Sequence, residues 1–96
     1  MPGKYEHFIL KRLLGVIDYE IKLKRFLQNT QGRYRPTMHK DDKILQLTVP
    51  YDASTKINHY DEIYMALEDA GLFDEWQLKG NKIDDDIVYE GDFDSF

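Results

Sequence analysis

The chain has 96 residues, no cysteine, 32% charged and 14% aromatic residues, and a formal net charge of −5. That length makes one small domain over 1–96, burying only about 60–65% of the surface it exposes when unfolded. The lack of cysteine excludes disulfides, thiolate metal ligands and cysteine nucleophiles, and fits a reducing, cytoplasmic compartment.

No apolar stretch reaches the roughly 20 residues that cross a bilayer. Nor is a signal-peptide pattern visible, since Lys11 and Arg12 interrupt the first apolar run. The net charge conceals a strong segregation: residues 1–44 carry ten Lys/Arg against five Asp/Glu, whereas residues 45–96 carry three against thirteen.

In chain order, the spacing of apolar residues predicts one long helix over about 4–29. Ile9, Leu13, Val16, Leu23 and Leu27 form one stripe, and Leu10, Leu14, Ile17 and Ile21 the next. These stripes read first as packing inside the α+β core. The alternative, a heptad seam over Ile9, Leu13, Val16, Leu23 and Leu27 with Glu20 as its polar interruption, is a homodimer through this helix. A polar loop over 29–43 follows, broken by Gly32 and Pro36. Leu45, Leu47 and Val49 alternate with Gln46 and Thr48, the pattern of a half-buried strand that Pro50 stops.

A second helix is predicted over about 56–70. Tyr60, Ile63, Tyr64, Leu67 and Ala70 line its apolar face, Asn58 caps it, and Asp61 and Glu62 favour its first turn. Gly71 is the left-handed stop, which brings Leu72 back to Leu67. Trp76 and Leu78 then open a hairpin whose two-residue turn is Gly80-Asn81, with a return strand over about 83–90 that sets Leu78 against Ile83 and Trp76 against Asp85. The predicted fold is α+β: a long N-terminal helix, a strand, a second helix and a C-terminal β-hairpin. These elements make a small antiparallel or mixed three-stranded sheet with helices on one face.

Three constellations carry chemistry. The acidic C-terminal half gathers Asp84, Asp86, Glu90, Asp92 and Asp94, with Trp76, Tyr89 and Phe93 as apolar anchors. Such a surface competes with a nucleic-acid backbone for a partner's lysines and arginines. The basic half gathers Lys22, Arg25, Arg33, Tyr34, Arg35 and Lys40, and interleaves guanidiniums with an aromatic ring as a nucleic-acid contact loop does. The overall acidity argues against that second use.

The third constellation sets His59 beside Asp61, Glu62 and the Asp84–Asp86 run, the raw material of a metal-dependent nuclease, although no metal or catalytic spacing motif is present. The primary expectation is a non-catalytic, cofactor-free, metal-free protein-binding regulator or inhibitor, of the kind mobile elements encode. Its acidic half would occupy a basic, nucleic-acid-handling surface of a target protein. Nucleic-acid binding and nuclease activity are the alternatives, and no membrane partner is expected.

Overall fold

The computed structural model describes residues 4–13 and 19–84. Six elements follow one another: β1 (Tyr5–Arg12), α1 (Tyr19–Asn29), β2 (Arg35–His39), β3 (Ile44–Pro50), α2 (His59–Asp69) and β4 (Trp76–Asp84). The strands form one antiparallel sheet in the order β2-β3-β1-β4. Element order and strand order together are those of the double split-βαβ, or ferredoxin-like, arrangement.

The core lies between the helices and one sheet face. Phe8 and Leu10 of β1 stand opposite Leu47 and Leu45 of β3. These four pack with Trp76 of β4, Phe26 of α1, and Ile63, Ala66 and Leu67 of α2. Alternation along the strands turns His7, Ile9, Gln46 and Thr48 to the other face, and there too the side chains are buried, at 1–3% exposure. Their polar groups satisfy one another: Gln46 Nε2 donates to His7 Nδ1 (3.0 Å) and to Thr48 Oγ1 (3.2 Å). Gln46 Oε1 accepts from His39 Nε2 (3.0 Å).

The structure corrects the predicted fold in three places. Instead of one helix over 4–29 there is a strand, β1, and a shorter helix, α1. His7-Phe8-Ile9-Leu10 is an unbroken buried run because β1 sits between β3 and β4, and a central strand buried on both faces loses the alternation that marks a strand. The proposed seam is thereby divided: Ile9 belongs to a strand, Leu23 and Leu27 to a helix, and Val16 lies outside the described residues.

The 29–43 loop contains a further strand, β2. It is an edge strand, which is why polar residues and Pro36 are tolerated in it. Finally, Gly80-Asn81 is no turn. Trp76–Asp84 is a single strand paired along β1, with Arg12 facing Trp76 and Leu10 facing Leu78. Since Ile9 faces Gly80, Lys79 is one residue too many, and the glycine marks a bulge rather than a hairpin end.

Other local readings hold. β3 ends at Pro50, and the side chain of Asn58 accepts from the Asp61 N–H (3.2 Å) as the cap of α2. Past that helix Gly71 takes a φ of 75°, and Leu72 N–H donates to Leu67 O (2.8 Å) while Gly71 N–H donates to Glu68 O (3.0 Å). Both bonds of a Schellman ending are therefore made.

The β2–β3 connection holds Lys40, Asp41 and Asp42 in the left-handed region, with φ of 51°, 55° and 64°. Each non-glycine residue there carries Cβ crowding of about 1–2 kcal/mol, eased for aspartate. Asp41→Gly is therefore expected to stabilise the domain by about 0.5–1 kcal/mol, after glycine's own entropy loss. The measured sign would be a Tm raised by roughly 2–8 °C in thermal denaturation.

Candidate functional site

Two features stand out on the described surface, and both are built on α2. The first lies at its start, where the α1–β2 connection meets the helix. Tyr34 is buried there, its ring edge-on to Phe8 at 6.2 Å. Its hydroxyl donates to Glu62 Oε1 (2.5 Å) and lies 2.9 Å from His59 Nδ1. One hydroxyl has one proton, so with that proton on Glu62 the oxygen accepts from a protonated Nδ1.

Arg33 Nη2 donates to the other carboxylate oxygen of Glu62, closing a chain Arg33–Glu62–Tyr34–His59. Burial raises the Tyr34 pKa well above that of a free tyrosine, and the hydrogen bond to Glu62 and its negative charge add to the effect.

His59 and Tyr60 also line a cleft of about 420 Å³, together with Glu6, Tyr51, Asp52 and Lys56. Tyr60 donates to Asn81 Oδ1 (2.6 Å), and Asn81 Nδ2 donates to Glu6 Oε2, so the helix start is tied to β4 and β1. Burial raises the Tyr60 pKa too, helped by the charge of Glu6. Chemically, the arrangement fixes one imidazole tautomer. The hydroxyl beside His59 is that of Tyr34, whose proton is held by Glu62, and among the described residues no group of three His, Asp or Glu is placed to hold a metal ion. Its evident work is to cross-link the α1–β2 connection to α2.

The second feature is the outward face of α2. Ile63, Ala66 and Leu67 point inward, and at 100° per residue Asp61, Met65 and Glu68 fall opposite them. Met65 is 64% exposed, and beside it Tyr64 and Phe73 are 40% and 51% exposed with ring centroids 5.8 Å apart. Asp61, Glu68, Asp69 and Asp74 are also exposed, and among the described residues none of the four is in an ion pair.

The position of Glu68 and Asp69 is telling. They occupy the last turn of α2, which has no basic residue, and there the helix dipole disfavours each negative charge by about 0.3–1 kcal/mol. Helix stability alone does not account for two carboxylates at that end.

Of the residues assigned from sequence to partner binding, Asp84 ends β4, while Asp86, Tyr89, Glu90, Asp92, Phe93 and Asp94 lie outside the described residues. Trp76 is a correction: it is 2% exposed within the core, so it offers no anchor to a partner. The basic set is dispersed. Tyr34 is buried under its hydrogen bonds, which withdraws the ring assigned to base stacking, and Arg33 is paired with Glu62. Lys22 Nζ lies 3.0 Å from Glu75 Oε1. Arg25, Arg35 and Lys40 are exposed on three different segments: α1, β2 and the β2–β3 connection.

Tyr64, Met65, Glu68, Asp69 and Phe73 went unassigned from sequence, with Tyr64 placed on the buried stripe. The available signal was Met65, an apolar residue one turn from Asp61 and nearly one from Glu68, opposite the core-facing stripe.

Fold and surface together define a small α+β domain of split-βαβ topology with an aromatic and acidic helix face. No protein-family model matches the chain, and no curated protein or solved structure is significantly similar to it. Since this topology hosts many unrelated functions, function has to be argued from the surface.

Proposed function

We propose that this chain is a non-catalytic protein-binding regulator or inhibitor whose acidic second half docks on a basic, nucleic-acid-handling surface of a target protein. The supporting observation is the outward face of α2, where exposed Tyr64, Met65 and Phe73 are ringed by Asp61, Glu68, Asp69 and Asp74. Aromatic residues and methionine are enriched where proteins meet, and an uncompensated carboxylate rim selects lysines and arginines across the interface. Carboxylates on such a rim act mainly on association rate and specificity, so binding should weaken with salt. Asp84, Asp86, Glu90, Asp92 and Asp94 add to the negative charge of this half of the sequence.

The test is capture of the target from the native host by the full chain, followed by titration of the purified target. Affinity is expected to fall at least about tenfold between low and high ionic strength. A nucleic acid that the target handles should displace the chain, and Met65→Ser with Phe73→Ser should abolish binding while leaving the circular dichroism unchanged. A salt-independent affinity, or a target that binds chain and nucleic acid together, would refute the proposal.

A further inference from the structure

We propose that two copies of this chain pair through their helical layers, α1 of each copy lying on α2 of the other. The inference rests on the reading of the α2 face as a contact surface, and it names an occupant for that face in the free protein.

The two helices expose matched, opposite surfaces. On α1, Leu23, Phe26 and Leu27 turn toward the core, so Ile21, Arg25 and Gln28 turn outward with Lys24 at their side. Ile21 is 71% exposed, the most exposed large apolar residue among the described residues. On α2 the outward residues are Asp61, Met65 and Glu68, with Asp69 beside them. Each helix thus presents one bare apolar residue within a turn of two or more charges, positive on α1 and negative on α2. Asn29 of α1 and Met65, Ala66 and Asp69 of α2 share the lining of a groove of about 380 Å³, which places the helices side by side in one layer.

Chain direction then selects the symmetry. β1 and β3 are antiparallel, and each helix returns from the end of one of them, so α1 and α2 run in opposite directions. Two such layers can face each other about a two-fold axis lying between them. If the axis runs across the helices, α1 stacks on α1 and like charges meet. If it runs along them, heights are kept and α1 stacks antiparallel on α2 of the second copy twice over. Since Lys22 pairs with Glu75, the start of α1 is level with the end of α2, and Lys24 and Arg25 reach Glu68 and Asp69. Both arrangements are closed, and only the second brings unlike charges together.

Each helix has 11 residues, about 16 Å at 1.5 Å per residue. Two stacked pairs cover somewhat less than the roughly 800 Å² per partner of a standard interface, so a concentration-dependent, salt-sensitive dimer is expected.

Sedimentation equilibrium of the full chain from low to high micromolar concentration tests this. Wild type should dimerise reversibly. Lys24→Glu with Arg25→Glu leaves both helices acidic, and Glu68→Lys with Asp69→Lys turns the C-terminal end of α2 basic like the facing stretch of α1. Each variant alone should dissociate at least about tenfold more readily, and an equimolar mixture of the two should recover a heterodimer of wild-type affinity. All four positions are exposed, and matching circular dichroism would show that the fold is kept.

A wild type that stays monomeric, or variants that dimerise unchanged or fail to rescue each other, would overturn the inference. The two proposals fail separately. A monomer that still captures its basic target removes the dimer alone, and a dimer that captures none removes the regulatory reading alone.

Discussion

Phe8→Ala is expected to remove about 3–5 kcal/mol, the cost of truncating a fully enclosed phenylalanine. Phe8 is 0% exposed on a central strand. Its ring meets Tyr34 at 6.2 Å and Tyr60 at 5.2 Å, both edge-on, and His59 at 6.0 Å. A single side chain thus joins β1, the α1–β2 connection and the start of α2. A domain of 96 residues has a total stability of about 5–14 kcal/mol at 0.05–0.15 kcal/mol per residue. The loss therefore takes a large part of what holds the molecule together. Urea titration followed by the fluorescence of Trp76, the sole tryptophan and itself buried, is the measurement. A loss below about 1.5 kcal/mol would contradict this account of the core, since values that small are typical of volume-conserving swaps.

The second large effect is a loss of stability in alkali. Tyr34 and Tyr60 both have raised pKa values in the folded chain, from burial and neighbouring carboxylates. A group raised on folding lends stability that is fully present below its unfolded pKa, about 10 for tyrosine, and is lost as pH climbs toward the folded value. Above pH 10 the unfolded chain sheds the Tyr34 proton first, so stability should fall by up to about 1.4 kcal/mol per pH unit from this group. The part-exposed Tyr60 should add a smaller share. Between pH 7 and 9 neither group contributes a slope.

Tyr34→Phe separates the cause. At pH 7 it should cost about 1–3 kcal/mol, because Glu62 and His59 lose the hydroxyl between them. The alkaline slope should shrink to the share from Tyr60. Denaturant midpoints from pH 7 to 11 for both proteins check this, and an identical slope in the variant would show that the Tyr34 proton is not held as described.

How far the fold was legible depended on how many sheet faces each segment buries. Ile44 to Val49 alternates in chemistry, Leu45, Leu47 and Val49 against Gln46 and Thr48, so it read as a strand even though both of its faces turn out to be covered. α2 was legible at both ends because Asn58, Gly71 and Leu72 satisfy backbone groups locally, and local chemistry is written in local sequence. β1 was not, because His7-Phe8-Ile9-Leu10 has no polar side facing solvent, and its apolar residues fit a helical period as readily. Nothing in the order of residues marks Lys79 as surplus; only pairing with β1 does. The same limit hid the Arg33–Glu62–Tyr34–His59 chain, whose members come from two segments that meet only after folding.

Charge was legible as a gradient along the chain, but not as a distribution in space. Lys22–Glu75 and Arg33–Glu62 stitch the basic half to the acidic half, which draws part of the gradient inward. Among the described residues, part of the remainder lies on the helical layer, positive along α1 and negative along α2.

The edges of the sheet carry a last consequence. On one side β2 presents Pro36, which lacks an amide proton, and on the other β4 is thrown out of step at Lys79. An incoming strand would find an uninterrupted ladder on neither flank. Growth of the sheet by lateral annexation is thereby discouraged, so crowding in a cell should not readily draw these molecules into fibres.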